Sequence, residues 1–260
     1  MGKLHLRTMK SRNRMTKREI EVETKFHVEN AEEIEQRLVN LGAKRLSVQS
    51  FTDSYYDSDN PHITLQDYWL RYRKCNIKGA GSWQLKKPAV YKPTDRVTSI
   101  YEEVKGISAV EEALAVLDSS NMSERQSILV GNDISLHLTA DELVAKHGLV
   151  CFAEFSTRRT GWIVANPIAA IGDDSSCHTH LRNLKVDLDG TDFGHSVGEV
   201  EAIVSDEDDI ADARQTIDLL MKTLGVENSQ GGNSVEGKLH IYMRTNRPEH
   251  YQACVDAGCL

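Results

Sequence analysis

The feature that most constrains the fold is a strict alternation of charged and apolar residues across 19–25 (EIEVETK). Side chains of a β-strand point alternately to its two faces, so this alternation predicts a strand. Glu21, Glu23 and Lys25 then share one face, and the residues between them occupy the other. A face that carries both signs of charge is either solvated or, if buried, paired with other charges or with a ligand.

The same alternation recurs in later segments, at residues 69–73, 83–87, 157–160, 185–189 and 198–202. Solvent exposure is the commoner explanation for any single charged strand face. A closed barrel would instead bring all these faces inside, where charge is costly unless it is paired or bound to something. With a predicted last strand at 238–244, the faces supply these cations and acids: Lys25, Arg71, Arg73, Lys86, Arg159 and Lys238; Glu21, Glu23, Asp187, Glu199 and Glu201.

The order of the predicted elements indicates an α+β fold. About eight strands are predicted, with helices between some of them, which favours a mostly antiparallel sheet or barrel. The predicted helices begin near Asn30, Ser108, Thr139, Ser205 and Pro248, and residues 166–180 form a predicted loop. Glycines at 42 and 225 are expected to end the first helix and the long fourth one.

Composition excludes several classes of protein. A net charge of −8 argues against a nucleic-acid binder, and no apolar run reaches transmembrane length. Five cysteines without a C-x-x-C pair indicate reduced thiols in a cytoplasmic protein. Residues 1–18 are basic and free of acids, which predicts a disordered leader, with a transit peptide as the alternative. We expect one domain at 19–252 followed by a tail at 253–260, in a protein that is a monomer and does not bind membranes.

The two kinds of charge on these faces suit a single type of ligand. The lysines and arginines suit phosphate, which an arginine binds with two parallel hydrogen bonds. The carboxylates suit Mg²⁺ or Mn²⁺, hard ions that prefer oxygen ligands and also bridge phosphate oxygens. The spacing therefore predicts a metal-dependent site for a small polyphosphate.

Several stretches together resemble the CYTH, or triphosphate tunnel metalloenzyme, superfamily. They are IEVETK (20–25), DSYYD (53–57), DYWLRYR (67–73), WQLKKP (83–88), VDLDGTDFGHSVGEVEAIV (186–204) and KLHIYMRTNRPEHYQ (238–252). The resemblance runs from about residue 19 to 252, and this order of motifs is specific although the first motif alone is weak. It implies an eight-stranded antiparallel β-barrel tunnel with surrounding helices, in which basic side chains hold a triphosphate and acids hold Mg²⁺.

The resemblance also implies roles for individual residues. Lys86 and Tyr55 match the family's catalytic pair, and Trp69 matches the aromatic residue that packs on an organic substrate. The phosphate-side residues are Lys25, Arg71, Arg73, Arg159 and Lys238, and the metal-side acids are Glu21, Glu23, Asp187, Glu199 and Glu201. We expect neighbouring cations to lower the pKa of Lys86, so that Lys86 can take a proton from water while Tyr55 orients it.

The implied activity is removal of the terminal phosphate of thiamine triphosphate. Inorganic triphosphate is the main alternative substrate, because it keeps every phosphate contact and lacks only the ring. An adenylyl cyclase of the same superfamily and a non-catalytic polyphosphate-binding module remain less favoured alternatives. The charge pattern alone does not separate hydrolase from cyclase.

Overall fold

The structure is a computed structural model that describes residues 19–76, 81–90, 98–120, 146–171, 181, 183–226 and 235–260. The predicted leader at 1–18 lies outside the described residues. So do most of the predicted helix at 139–147 and most of the predicted loop at 166–180.

Eight antiparallel strands close into a barrel. Around the barrel the order is β1-β9-β8-β7-β3-β4-β5-β6, and β6 pairs with β1 again to complete the ring. The strands are β1 (Ile20–His27), β3 (Gln49–Ser58), β4 (Trp69–Cys75), β5 (Gly81–Pro88), β6 (Thr98–Lys105), β7 (Leu149–Ala165), β8 (Asn183–Thr191) and β9 (Ser196–Val204), while the short β2 (Lys44–Arg45) adds to β7. The predicted antiparallel barrel is confirmed, and the two strands predicted at 149–165 are one continuous strand.

Helices surround the barrel. They are α1 (Ala31–Asn40), α2 (Ile107–Ser120), α3 (Pro167–Ile171), α4 (Ile210–Leu224), α5 (Lys238–Asn246) and α6 (Pro248–Ala257), with short 3₁₀ turns at Thr64–Gln66 and Glu207–Asp209. As predicted, the Asn30 side chain caps α1 by accepting from the Glu33 N–H, and Gly225, at φ 60°, ends α4. Helix α6 also takes in residues 253–257, the first part of the predicted tail. Among the described residues no helix is long and apolar enough to cross a membrane.

The predicted strand at 238–244 is wrong, because this segment forms helix α5. The apolar residues Leu239, Ile241 and Met243 alternate with polar ones, which is typical of a strand. Leu239 and Met243 are also four residues apart, so a helix places both on one face, and both are buried in the structure. The same residues satisfy both periodicities, and packing against the barrel selects the helix.

The apolar faces of the strands point outward and the charged faces point inward. Val22 of β1 and Val200 of β9 pack in one cluster with Ile217 and Leu220 of α4. A second cluster joins α2 to the outer faces of β4 and β5. A third lies on the inner side, where α5 and α6 pack against Tyr55, Trp69, Phe152 and Phe155. Because helices cover the outer faces, the alternating charges are left to line the interior, as a closed barrel predicts.

Candidate active site

A cavity of about 460 Å³ occupies the barrel interior, and we call it the barrel cavity. Every predicted site residue except Asp187 lines it: Glu21, Glu23, Lys25, Tyr55, Trp69, Arg71, Arg73, Lys86, Arg159, Glu199, Glu201 and Lys238. Their convergence follows from strand register, since β1 and β9 pair Glu23 with Glu201 and Lys25 with Glu199. Lys238 reaches the same cavity from the first turn of α5.

Two arginines of β4 are held by Asp53 of β3, a residue that the sequence analysis missed. Arg73 makes two hydrogen bonds of 2.6 Å to the Asp53 carboxylate, and the Arg71 Nη1 lies 3.9 Å from its Oδ2. Burial alone would raise the pKa of Asp53, but Arg71 and Arg73 outweigh it and lower the pKa. Strand alternation could have identified Asp53 as a site residue, because it lies two residues before Tyr55 and so shares its strand face.

A second cluster of charges joins Arg159 and Lys238 to Asp189. Arg159 donates two hydrogen bonds of 2.7 and 2.6 Å to Asp189, which also accepts from the Lys238 ammonium. Glu199 lies 3.3 Å from the Arg159 Nη2 and 3.2 Å from the Lys238 Nζ. Asp189 shares the inward face of β8 with Asp187, so alternation did mark it, but only Asp187 was predicted as a site residue.

The structure does not bring Asp187 to the cavity wall. Its side chain is 1% exposed, and its Oδ2 lies 2.5 Å from the Arg159 Nη1 and 2.6 Å from the Lys185 Nζ. Gly161 sits opposite, and a Cβ there would come within 3.1 Å of the Asp187 Oδ1. Asp187 therefore contacts Arg159 directly and reaches the cavity only through it.

Lys86 lies between two glutamates of β1, and this overturns the expectation of a lowered pKa. Its Nζ is 2.7 Å from the Glu21 Oε2 and 3.0 Å from the Glu23 Oε2. Burial alone would lower the pKa of Lys86, but Glu21 and Glu23 raise it well above its usual range. The cause is topology, because β6 lies between β5 and β1 and lets the long lysine reach across to the β1 acids.

The two glutamates beside Lys86 differ in their own pKa. Burial raises the pKa of Glu21 to about 7, with further contributions from Glu23 and Glu201 that Lys86 only partly offsets. Burial acts on Glu23 too, but Lys25 and Lys86 outweigh it and lower its pKa to about 2. At neutral pH Glu21 is therefore partly protonated, whereas Glu23 is ionised.

Tyr55 lies beside Arg71 rather than beside Lys86. The two residues are direct cross-strand partners on β3 and β4. The Tyr55 ring also stacks on Phe155, with centroids 5.8 Å apart. Tyr55 therefore neighbours an arginine of the phosphate-binding group, while Lys86 contacts Glu21 and Glu23.

Trp69 belongs to an aromatic end of the cavity, which we define as Trp69, Tyr101 and His240. The Trp69 Nε1 and the Tyr101 hydroxyl both donate to the Asp67 Oδ1, at 2.8 and 2.9 Å. The His240 ring lies 6.2 Å from the indole. Burial and, to a smaller degree, Lys25 lower the pKa of His240 to about 4, so this end presents neutral rings at neutral pH.

The acidic wall fits a hard divalent cation in the type of its donors. Glu21, Glu23 and Glu201 supply carboxylate oxygens from neighbouring strands. Within the described ranges, no three or more His, Cys, Asp or Glu side chains are already arranged to hold a metal. Instead the lysines pair with the acids, so a bound cation would have to displace them.

Comparison with known proteins gives a consistent result. The CYTH domain family model matches residues 19–231. The thiamine-triphosphatase of Macaca fascicularis is 30% identical over 239 residues, which cover 92% of this chain and 90% of that protein. The thiamine-triphosphatase of Homo sapiens is 29% identical over the same share of each chain. Among solved structures, a putative adenylate cyclase from Vibrio parahaemolyticus has a TM-score of 0.53 and 16% identity, covering 85% of this chain and 97% of its own.

Proposed function

The chain belongs to the CYTH domain family, and from this membership we propose that it hydrolyses thiamine triphosphate to thiamine diphosphate and phosphate. Two thiamine-triphosphatases match the chain at about 30% identity, and the match covers 90% of each of them. The observation that carries the proposal is the barrel cavity, where six cations suited to phosphate lie beside an aromatic end suited to a ring. An activity on small triphosphates accounts for both halves of this cavity.

The family implies a divalent metal ion, and we propose Mg²⁺, with Mn²⁺ as a substitute. Glu21, Glu23, Glu199 and Glu201 would hold it, and Asp187 would act through Arg159. When bound, such an ion supplies positive charge to the phosphate oxygens and neutralises the acids that now pair with lysines. Burial, and to a smaller degree Glu23 and Glu201, raise the pKa of Glu21, and an added positive charge at this wall would favour its ionised form.

The protein's own residues then position the triphosphate and stabilise its charge. Arg71, Arg73, Arg159 and Lys238 would exchange their present carboxylate partners for phosphate oxygens, with geometry that suits bidentate binding by the arginines. Such positioning and charge stabilisation supply most of the catalysis in phosphoryl transfer. Tyr55 would help to keep Arg71 in place as its direct cross-strand neighbour.

We propose Lys86 as the residue that handles the proton of the attacking water. Lys86 is protonated while Glu21 and Glu23 are its partners. If another cation neutralised Glu21 and Glu23, Lys86 would face mainly the cations of the phosphate side, and its pKa would fall. A lysine in that state can accept the proton from water as the terminal phosphate departs from the diphosphate.

The test is a steady-state comparison of kcat/KM for thiamine triphosphate, inorganic triphosphate and ATP, with Mg²⁺ and with excess EDTA. We expect thiamine triphosphate to be the preferred substrate and EDTA to abolish turnover. Preference for inorganic triphosphate would move the assignment to an inorganic triphosphatase, since that substrate makes the same phosphate contacts. Formation of cyclic AMP from ATP would instead indicate a cyclase.

We propose further that the protein is a cytoplasmic monomer. The described cysteines Cys75, Cys151, Cys254 and Cys259 are all free thiols, which supports a reducing compartment. Cell fractionation tests the compartment, and sedimentation velocity tests the oligomeric state.

A further inference from the structure

Two cysteines near the C-terminus meet at the wall of the barrel cavity. The N–H of Cys259 donates to the Cys254 carbonyl at 3.1 Å, and the N–H of Gly258 donates to the Val255 carbonyl at 3.0 Å. With Gly258 at φ 75°, these bonds form a Schellman motif, which folds the residue after the glycine back onto the last turn of the helix. The motif therefore brings the side chains of Cys254 and Cys259 together.

The two thiols are placed differently with respect to the cavity. Cys254 is fully buried, whereas Cys259 is partly exposed and lines the barrel cavity together with Gly258 and Leu260. The Cys259 Sγ donates to the Cys254 carbonyl oxygen at 3.1 Å, which holds the second thiol over the residue that carries the first. An accessible thiol next to a buried second thiol is the arrangement expected for reversible disulfide formation.

The surroundings of Cys254 favour its reactive form. A hydrogen bond from Cys259 and another from His250 lower the pKa of the Cys254 thiol to about 5, although burial opposes them. Thr64 links this group to the barrel, since its hydroxyl lies 2.7 Å from the His250 Nε2 and 2.7 Å from the Asp57 Oδ2. Cys254 is therefore the sulfur that ionises first, and its thiolate can act as a base toward the more exposed Cys259 thiol.

We propose that Cys254 and Cys259 are an oxidative modification site, at which a peroxide converts two thiols to a disulfide that lowers turnover of the ring-bearing substrate. The Cys254 thiolate takes the proton of the Cys259 thiol, and the sulfur of Cys259 attacks hydrogen peroxide, so that an S–O bond forms, the O–O bond breaks and, with that proton, one water leaves. The sulfur of Cys254 then attacks Cys259, so that the S–S bond forms, the S–O bond breaks and a second water leaves. Two electrons pass from the thiols to the peroxide, and a dithiol reductant reverses the change.

The effect on turnover follows from the neighbours of Cys259. Closing a disulfide brings the sulfurs to about 2.05 Å and draws Cys259 toward helix α6. Cys254 and burial raise the pKa of the Cys259 thiol, and nearby Asp67 adds a smaller contribution, while Asp67 also holds the Trp69 indole and the Tyr101 hydroxyl. The shift of Cys259 and Leu260 therefore disturbs the aromatic end, while the phosphate-binding arginines keep their partners.

The experiment treats the full-length protein with hydrogen peroxide, with and without later dithiothreitol. Both cysteines fall in the tryptic peptide that follows Arg244, because trypsin does not cleave Arg247–Pro248, and this peptide has no other cysteine. Mass spectrometry should show the loss of two hydrogens from that peptide, reversed by reduction. This readout needs no activity, so it stands even if the proposed function fails.

The kinetic part, which rests on the proposed function, compares kcat/KM before and after oxidation. We expect a loss of about threefold or more for thiamine triphosphate and little change for inorganic triphosphate. Cys259→Ser should remove both the mass change and the kinetic loss, while Cys151→Ser, at an exposed cysteine of β7, should remove neither. Cys254→Ser provides a second test if Cys259→Ser fails to fold.

Three results would overturn the proposal. One is an unmodified C-terminal peptide under conditions that oxidise Cys75 or Cys151. Another is a disulfide that leaves the turnover of both substrates unchanged or lowers both equally. The third is a Cys259→Ser variant that loses activity on oxidation as the wild type does.

Discussion

Each cation that faces the barrel cavity is already held by a carboxylate, and this pairing governs the effect of single substitutions. Arg73 depends on Asp53, Arg159 on Asp189, and Lys86 on Glu21 and Glu23. Removing one member of a buried pair leaves the other charge uncompensated, which typically destabilises by about 3–5 kcal/mol. Substitutions in the cavity therefore need a stability measurement beside the kinetic one.

Lys86→Ala should remove most turnover, because no other group would take the water proton in its place. A proton-handling residue usually contributes about 10²–10⁴-fold to the rate. The measurement is kcat at saturating Mg²⁺, where the metal compensates the acids that Lys86 leaves, with a thermal melt to confirm folding.

The adjacent lysine provides the matched control. Lys87 points to the other face of β5 and pairs with Glu112 of α2 at 2.6 Å. Lys87→Ala should leave kcat within about twofold of the wild type. A folded Lys86→Ala protein that keeps more than about half the rate would exclude the proposed role.

Trp69→Ala should reduce kcat/KM for thiamine triphosphate by roughly 3- to 30-fold, the equivalent of losing ~0.5–2 kcal/mol of stacking. Trp69 precedes Arg71 by two residues on β4, so both side chains share the inward face, about 7 Å apart along the strand. Inorganic triphosphate has no ring to stack, and its hydrolysis should barely change.

Trp69→Phe separates stacking from the hydrogen bond to Asp67. This variant keeps an aromatic ring and loses the Nε1 donor, so a loss smaller than that of Trp69→Ala is expected. Equal losses on both substrates in the alanine variant would make Trp69 a structural residue and remove the main residue-level support for a thiamine substrate.

At the scale of elements, strand alternation predicted the barrel interior well. Six charged strand faces were predicted to share the interior, and five of them line the cavity in the structure, while the acids of the sixth, on β8, pair with Arg159. The partner of each residue was not predictable, because register and strand order set it. Alternation marked the inward faces of Asp53 and Asp189 without indicating which cations they hold, and Lys86 reaches its acids across an intervening strand.

The same limit explains the error at helix α5. The segment 238–246 satisfies both the two-residue and the four-residue period, so sequence alone favoured a strand. Lys238 still reaches the cavity, because the helix begins at this residue, beside Asp189 and Glu199. Lys238 thus lines the cavity as expected, although a helix and not a strand carries it.

The pairing of β1 with β9 depends on a glycine at 198. A Cβ at Gly198 would lie 2.1 Å from the Phe26 ring, which is fully buried. Gly198→Ala should therefore lower the free energy of unfolding by about 1–3 kcal/mol, the usual range for overpacking a core. Urea denaturation followed by circular dichroism measures this change.

Gly190 is the matched control in the same β8–β9 hairpin. A Cβ at Gly190 would meet nothing closer than the Ser196 Oγ at 3.9 Å, so Gly190→Ala should change stability by less than about 0.5 kcal/mol. Similar losses in both variants would mean that strand flexibility, rather than contact with Phe26, determines the effect.

At the scale of the whole molecule, the barrel is held closed around opposed charges. The strands that carry Glu21, Glu23, Glu199 and Glu201 are neighbours, so one side of the closed ring is acidic while Arg71 and Arg73 lie on β4 elsewhere in the ring. A ligand that neutralises these charges binds the folded barrel and not the unfolded chain. Its binding therefore stabilises the whole barrel against unfolding.

Divalent metal should therefore raise the melting temperature of the whole protein. A metal at about one hundred times its Kd contributes about 2.7 kcal/mol, which corresponds to roughly 5–10 °C for a chain of this size. The measurement is differential scanning fluorimetry in Mg²⁺, in Mn²⁺ and in EDTA, with sodium chloride at matched ionic strength to isolate the metal from screening. Glu201→Gln, on the acidic wall, should lose much of the shift, whereas Glu33→Gln, at an exposed position of α1, should keep it. A shift absent from the wild type, or one equally large in Glu201→Gln, would contradict metal binding at this wall, because only ligation inside the barrel makes the stabilisation depend on that carboxylate.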